Sequence, residues 1–409
     1  MKRNNGLTRR NMLKGAAVGA AATVAVPVLL RQSMAQASGP IKIGMPCALT
    51  GPFAPVGQIT KRGAEFFVKE RNAKGGILGR PIELLVEDTQ GNPANCVRKA
   101  QEMVERHNCR LFSGVTVSSE ALALVPKLAE WNALFMSSIN GDGRLTAASL
   151  VPNFFRANTS GPMGARAVSL YLRESQMKSF FALGMDYAWG HNSVQVFEDE
   201  LKNAKKEFVG KIFSPSGTKD FSTYITKIRQ SGADGVYLVL AGDDNNAFLS
   251  QAHQYRLAEK ITMLAEQLEL VSVKAVGEAA IGLTASSRYP FTLDNPANKT
   301  FVAAFHKEHG EVPDQFDGEA YHGLAVLTQG IEAAKSIEAE PLRKAMEGMV
   351  HDGIKGKVTM RACDHQGEQQ GHIVQVAKTD KYPHPTLNIL KSFAADKITP
   401  GCNKMTFDN

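Results

Sequence analysis

Short apolar runs alternate with amphipathic helical segments along most of this chain, and the alternation limits the folds open to it. Ile41 to Met45 and Ile82 to Glu87 are typical of buried strands, and the segment from Ile59 to Asn72 between them has helical spacing. After Arg156 the scheme begins again, with strands expected at 179–183, 209–213, 235–240 and 261–264. Strands that alternate with helices form parallel sheets covered by helices. The pattern therefore predicts an α/β protein with two doubly wound parallel-sheet lobes.

The first 37 residues predict an export signal rather than a part of the folded domain. Arg9 and Arg10 form a twin-arginine pattern, followed by an Ala/Gly/Val-rich run to Leu30 and by Ala35-Gln36-Ala37. This order of regions is typical of a cleaved signal, and the run is shorter than the ~20 residues of a membrane span. An ordinary secretory signal that contains two adjacent arginines is the alternative. We expect export of the folded chain to the periplasm by the twin-arginine route, with cleavage after Ala37.

Removal of this signal changes the charge balance of the chain. The full sequence has 47 basic and 40 acidic residues, and the signal holds six basic residues and no acid, which leaves 41 against 40. A nearly neutral mature chain gives no reason to expect nucleic acid or an anionic membrane as partner. The 372 residues that remain of the 409 favour two domains, at ~100–200 residues each.

Five cysteines lie in the mature chain, so at least one thiol has no partner within it: Cys47, Cys96, Cys109, Cys363 and Cys402. None forms a C-x-x-C motif, which argues against a redox or iron–sulfur site. We expect a disulfide between Cys363 and Cys402. Cys47 and Cys96 are a second candidate pair, because a right-handed crossover brings the end of strand one and the start of the second helix to one edge. Two free buried thiols are the alternative for this pair.

Several segments together resemble one protein family. Ile41-Lys42-Ile43-Gly44, Leu49-Thr50-Gly51-Pro52, and the stretch from Asn72 to Arg80 are similar to the opening of periplasmic solute-binding proteins of the branched-chain amino acid type. Phe221-Ser222 and Tyr321 are later matches, so the resemblance covers essentially the whole mature chain.

The resemblance implies two lobes joined by three hinge crossings that close on one small solute. The crossings are expected near 156–158, 284–288 and 354–358. Lobe one would then hold residues 38–156 and 287–355, and lobe two residues 157–286 and 356–409. The ligand of such sheets lies outside the carboxyl ends of the strands.

In lobe one, the resemblance implies a contact with a ligand carboxylate at Ser118, while the neighbouring Ser119 is suited to cap a helix. The second contact loop holds Asn140 and Gly141, which can bind through the Asn140 amide or through backbone N–H groups. Tyr321 reaches the cleft or packs within its own helix.

In lobe two, Trp189 lies at the position where the family has an aromatic cover over the ligand. Amino-acid binders of the family hold the ligand's ammonium with a carboxylate at a position that matches Gln267. If Gln267 faces the cleft, an ammonium is poorly compensated, and a neutral or purely anionic ligand is favoured. If the register shifts by one residue, Glu266 restores amino-acid binding.

These observations predict a periplasmic substrate-binding component of an ABC transporter. It would bind a small hydrophobic carboxylate or amino acid as a monomer and deliver it to an inner-membrane permease, with no cofactor and no catalysis of its own. Two alternatives are a ligand sensor on the same fold and an exported enzyme. The sequence contains no G-x-S-x-G, H-E-x-x-H, P-loop or G-x-G-x-x-G motif, which argues against the enzyme.

Overall fold

The computed structural model describes residues 39–407, in which two separate parallel-dominated sheets are covered by helices. The export signal predicted for residues 1–37 lies outside the described residues. Residues 41–407 follow the predicted plan of two α/β halves written one after the other.

The first sheet has five parallel strands in the order β2-β1-β3-β4-β5. Strand β1, which has a neighbour on each side, carries Ile41, Ile43 and Met45, which are buried because helices cover both faces of the sheet. The strands are β1 (Ile41–Cys47), β2 (Ile82–Asp88), β3 (Leu111–Phe112), β4 (Leu134–Ser137) and β5 (Phe154–Arg156).

The second sheet has seven strands in the order β15-β14-β10-β9-β8-β6-β7, and only β14 and β15 at one edge run antiparallel to their neighbours. A small antiparallel sheet of β11, β12 and β13 lies between β10 and β14 in the chain. The strands are β6 (Ser179–Met185), β7 (Glu207–Ser214), β8 (Gly235–Val239), β9 (Thr262–Ala265), β10 (Thr284–Ser287), β11 (Val350–Gly353), β12 (Gly356–Met360), β13 (Gly367–Glu368), β14 (Gly371–Ala377) and β15 (Thr386–Phe393).

Twelve α-helices occur in residues 39–407. They are α1 (Ala54–Ala73), α2 (Pro93–His107), α3 (Ser118–Leu124), α4 (Gly161–Leu172), α5 (Ala188–Asn203), α6 (Ser222–Gln230), α7 (Gly242–Gln254), α8 (Leu270–Val276), α9 (Pro296–His309), α10 (Gln315–Ala334), α11 (Ala339–Met346) and α12 (Ala395–Ile398). Among these residues, no helix has both the length and the apolar character that a membrane crossing requires.

The chain passes between the two sheets three times. The first passage follows Arg156 at the end of β5 and the second follows Ser287 at the end of β10. The third lies later than the predicted 354–358, because β12 pairs with β11 and buries Val358 and Met360 beside the first sheet. The chain reaches the second sheet only at β14. The sequence could not indicate this, because strands as short as β11, β12 and β13 have no periodicity that shows which sheet they join.

Two glutamines tie the third passage to the first. The Gln366 amide donates to the carbonyl of Asn158 (2.8 Å), and the Gln369 amide donates to the carbonyl of Ala157 (2.8 Å). Both side chains are buried, so these bonds are protected from competition by water. The two segments therefore form one hydrogen-bonded ribbon.

The cysteines divide into one disulfide and three free thiols within residues 39–407. Cys363 and Cys402 are bonded, with their Cα atoms 6.0 Å apart. Cys47 and Cys96 are not paired; the Cys47 thiol donates instead to the carbonyl of Gly57 (3.2 Å). Burial raises the pKa of Cys47 to about 12 and that of Cys109 to about 11, so neither thiol is activated as a nucleophile. The alternative of two free buried thiols is the arrangement found.

The disulfide closes a segment with a sequence separation of 39 residues. We expect the double variant Cys363→Ser/Cys402→Ser to unfold at a lower urea concentration than the wild type, with a loss of at most about 4 kcal/mol from chain entropy. Urea unfolding followed by circular dichroism measures this. Dithiothreitol is the control, because it should lower the wild-type midpoint to that of the variant and leave the variant unchanged. Equal midpoints for oxidised wild type and variant would contradict the expectation.

Candidate ligand-binding site

Loops at the carboxyl ends of the strands in both sheets meet around one small cavity. The cavity measures about 20 Å³, which is close to the space that one water molecule needs. A larger ligand therefore requires the loops from the two sheets to separate. The lining residues are Phe53, Val56, Thr116, Ser118, Ile139, Gly141, Tyr187, Trp189, Ala241, Gln267, Arg288 and Phe316.

Ser118 forms the polar edge of the cavity on the side of the first sheet. It is the first residue of α3, and its Oγ accepts from the backbone N–H groups of Gly141 (3.1 Å) and Asp142 (3.2 Å). Because both bonds use Oγ as an acceptor, the Ser118 hydroxyl proton is left to donate. Ser119 follows it on the helix, is only half-buried, and does not line the cavity.

Glu120 holds the start of α3 in place. Its carboxylate accepts from the backbone N–H of Val117 (2.9 Å), the residue before the helix. The side chain is fully buried, and this burial raises the pKa of Glu120 to about 7, although Thr89 and the Val117 N–H lower it. The position of Ser118 thus depends on a carboxyl group that titrates near neutral pH.

The loop after β4 brings Gly141 to the cavity and keeps Asn140 away from it. The Asn140 amide donates to the carbonyl of Val115 (2.9 Å) and accepts from the Ser137 hydroxyl (2.9 Å), so its side chain is occupied within the first half. A Cβ at position 141 would lie 2.5 Å from Trp189 Cδ1 and 2.7 Å from Arg288 Nη2. Glycine is needed here because side chains of both neighbours approach the backbone closely.

Aromatic rings cover the cavity. Trp189 in the first turn of α5 lines the cavity and is only 2% exposed. Tyr187 lies 5.9 Å from Trp189 and 5.4 Å from Phe53 between ring centroids, and the contact with Phe53 is edge-on. Phe53 belongs to the first half and Tyr187 to the second, so this contact joins the two sides.

The loop after β9 directs Gln267 rather than Glu266 to the cavity. The Gln267 Nε2 donates to Glu269 (3.2 Å), while its Oε1 is buried with no partner among the described residues. Glu266 lies behind it, 1% exposed, in an ion pair with Arg288. Burial raises the pKa of Glu266, and the charge of Arg288 opposes this rise.

Arg288 was not predicted as a site residue. It follows β10 directly, is 3% exposed, and donates through Nη1 to the carbonyl of Ile139, which also lines the cavity. Its place in the sequence, directly after a strand end at the predicted second crossing, was the available signal. Phe53 and Phe316 were also missed, since each lies at a helix start where an aromatic residue normally serves only packing.

Tyr321 lies outside the cavity. Its hydroxyl donates to Glu70 (2.8 Å), and its ring packs against Phe67 and Phe301 with centroid distances of 5.1 and 4.5 Å. These contacts agree with the second of the two predicted roles, packing between helices.

Arg156 fixes the loop that carries Gly141. Its guanidinium is fully buried and donates to the carbonyl of Asp142 (2.6 Å), to the Thr146 hydroxyl and to Gln366 (2.6 Å). Burial lowers the pKa of Arg156 to about 9, and the charges of Asp142 and Asp364 counteract the shift. The first passage and the contact loop are therefore one hydrogen-bonded unit.

Comparison with known proteins places this geometry in a family. A family model described as periplasmic binding protein matches residues 40–381. The chain belongs to the periplasmic binding protein family. The match covers the first sheet, every strand of the second sheet except β15, and every residue that lines the cavity. As a periplasmic binding protein, it has the predicted fold class and the predicted periplasmic location, and family membership implies solute binding rather than catalysis.

Individual relatives agree with this assignment. The Leu/Ile/Val-binding protein BraC3 of Rhizobium johnstonii is 30% identical over 325 residues, which cover 78% of this chain and 87% of that protein. An amino acid ABC transporter substrate-binding protein from Pseudomonas fluorescens superposes with a TM-score of 0.81 at 22% identity, over 91% of this chain and all of that chain. A solute-binding protein of Rhodopseudomonas palustris, solved with 3,4-dihydroxybenzoic acid, has a TM-score of 0.81 at 21% identity, over 87% and 98%. The prediction of an ABC-transporter solute-binding protein of the branched-chain amino acid type is confirmed.

The raised pKa of Glu120 gives a test of how α3 is held in this periplasmic binding protein. The folded state keeps this proton up to about pH 7, whereas the unfolded chain releases it near pH 4.5, so wild-type stability falls as pH rises between these values. We expect Glu120→Gln to remove this part of the pH dependence, a difference on the order of 3 kcal/mol at pH 8.

Urea unfolding of wild type and variant at pH 4.5 and pH 8 measures it. Glu105→Gln, at an exposed position on α2, is the matched control and should keep the wild-type dependence. Parallel pH profiles for wild type and Glu120→Gln would show that the carboxyl group is ionised in the folded protein.

Proposed function

We propose that this protein binds one small carboxylate with an apolar body and without an α-ammonium group. The observation that carries the proposal is Gln267, whose uncharged amide faces the cavity where a carboxylate would be needed to hold an ammonium. A buried ammonium without a carboxylate partner is strongly disfavoured. An apolar acid has no such group to compensate.

The wall of the cavity supports an apolar ligand body. Phe53, Tyr187, Trp189 and Phe316 supply aromatic surface, and Val56 and Ile139 supply aliphatic surface. Flat side chains on opposite sides suit a ring held between them. The binding of 3,4-dihydroxybenzoic acid by the Rhodopseudomonas palustris relative agrees with such a ligand.

The contact residues come from two lobes that close on the ligand. Ser118 and Gly141 belong to the lobe built on the first sheet, and Trp189 and Gln267 belong to the lobe built on the second. With the strand pairing above, lobe one comprises residues 41–156 and 288–368, and lobe two comprises 157–287 and 371–407. Closure excludes water and makes each polar contact stronger. The closed monomer then delivers the ligand to an ABC permease in the inner membrane.

A thermal-shift panel tests the ligand class. It compares leucine with 4-methylpentanoate, which has the same body without the ammonium, and adds benzoate, 4-hydroxybenzoate and 3,4-dihydroxybenzoate. We expect the deaminated and aromatic acids to raise the unfolding midpoint, because a ligand at 100 times its Kd stabilises the folded state by about 2.7 kcal/mol. Gln267→Glu is the matched variant, in which the preference should shift toward leucine. Micromolar binding of leucine or valine, with no binding of the deaminated acids, would refute the proposal.

For the route of export, we propose that Arg9 and Arg10 direct the folded chain through the twin-arginine pathway and that a signal peptidase cleaves after Ala37. The double substitution Arg9→Lys/Arg10→Lys should leave the precursor in the cytoplasm, because the receptor of the twin-arginine pathway recognises the arginine pair itself. Arg3→Lys, outside the pair, is the control and should be exported normally. Immunoblots of periplasmic and cytoplasmic fractions measure both. Continued export of the double variant would instead indicate an ordinary secretory signal.

A further inference from the structure

A loose ion pair between two buried side chains borders the cavity. Arg288 Nη2 lies 3.4 Å from Glu266 Oε2 and 3.5 Å from Oε1, and the two residues are 3% and 1% exposed. Charge-assisted bonds between guanidinium and carboxylate groups are usually about 2.7–2.9 Å long. The pair therefore neutralises charge without forming a fork, the arrangement in which two N–H groups of one guanidinium each hold one oxygen of the same carboxylate.

Arg62 in the same protein shows what a completed fork looks like. Its Nε and Nη2 hold both carboxylate oxygens of Asp317 at 2.8 and 2.6 Å. At Arg288, among the described residues, the equivalent Nε has no hydrogen-bond partner and Nη2 has only the two long contacts to Glu266. The Nε–Nη2 edge of Arg288 is thus an incomplete carboxylate site.

A second buried donor lies beside this edge. Trp189 Nε1 points toward the Glu266 carboxyl and lowers its pKa, but it forms no hydrogen bond of normal geometry within residues 39–407. Trp189 and Arg288 both line the cavity, and both approach the backbone at Gly141. A buried donor without an acceptor is costly. Two buried donors that have no hydrogen-bond partner among the described residues, one on each of two side chains that line the cavity, point to a ligand that supplies acceptor oxygens.

We propose that Arg288 anchors the ligand's carboxylate through its Nε–Nη2 edge, and that Glu266 is an internal counter-ion that competes for the same guanidinium. This inference rests on the proposed function and names the residues that set its specificity. Arg288 cancels the charge of Glu266, so the Glu266 carboxylate is not available to an ammonium. In the same arrangement Glu266 lowers the affinity for an anion, because its charge remains beside the incoming carboxylate.

The surroundings of Glu266 allow its side chain to remain in place while the ligand binds. A Cβ at position 164 would lie 2.8 Å from Glu266 Oε1, so Gly164 leaves the space that the carboxylate uses. The Ser286 hydroxyl donates to the Glu266 backbone carbonyl and fixes the main chain on the other side. A ligand carboxylate can therefore bind Arg288 at normal hydrogen-bond distances, while Glu266 stays close to its present position.

Isothermal titration of the folded protein with benzoate and with leucine tests the inference. Glu266→Gln should bind benzoate about tenfold more tightly than the wild type, because the competing charge is gone. Arg288→Gln should bind benzoate at least about thirtyfold more weakly than the wild type. Arg288→Lys should recover part of this loss, because lysine keeps the charge without the fork.

Arg166 and Glu200 provide a matched control, since they form another buried Arg–Glu pair that does not line the cavity. Glu200→Gln should leave the benzoate Kd unchanged even if it lowers the unfolding midpoint. Weaker benzoate binding by Glu266→Gln, or unchanged binding by both Arg288 variants, would overturn the anchor while leaving the proposed ligand class intact. If the wild type binds leucine but not benzoate, and Arg288→Gln still binds leucine, the proposed ligand class itself is wrong.

Discussion

The burial of Arg156 is the constraint on which the rest of the site depends. A fully buried guanidinium must find acceptors for its donors, and Arg156 finds them in the backbone of Asp142, the hydroxyl of Thr146 and the amide of Gln366. These acceptors belong to the contact loop after β4 and to the third passage between the sheets. Loss of the side chain would leave several buried carbonyl and amide groups unpaired at once, which is costly. One residue thereby sets the position of Gly141 relative to the hinge.

Basic residues recur at the junction of the two lobes. Arg156 lies at the first passage, Arg288 at the second, and Lys355 in the turn between β11 and β12, where it pairs with Glu319. All three are buried, and buried charges persist only where partners compensate their loss of hydration. His322 lies beside this group, and neither of its ring nitrogens is hydrogen-bonded to any described residue. Burial lowers its pKa well below the usual value, so it stays neutral. The junction is polar and buried, unlike the apolar cores of the two lobes.

The sequence predicted the elements with regular periodicity and the strand ends they produce. Ser118, Gly141, Trp189 and Gln267 line the cavity because parallel strands place the loops that follow them at one edge of each sheet. For Asn140 and Tyr321 the sequence left two roles open, since residue type and position do not reveal whether a polar group already has a partner within its own lobe. Arg288 was missed for the converse reason: its partners, Ile139 and Glu266, are distant in sequence and belong to different lobes. The late third passage depends on short strands whose pairing is decided by tertiary packing.

The hydrogen bonds from Gln366 and Gln369 to the first passage have a kinematic consequence. Two of the three connecting segments are fastened side by side, so they bend together as a single flexure. The Cys363–Cys402 disulfide begins three residues before Gln366 and so belongs to this flexure. The segment at Arg288 is the remaining support. Two supports define a line, and rotation about that line is the motion that stretches neither of them. Opening of the cleft should therefore follow one axis, with twisting and sliding of the lobes suppressed.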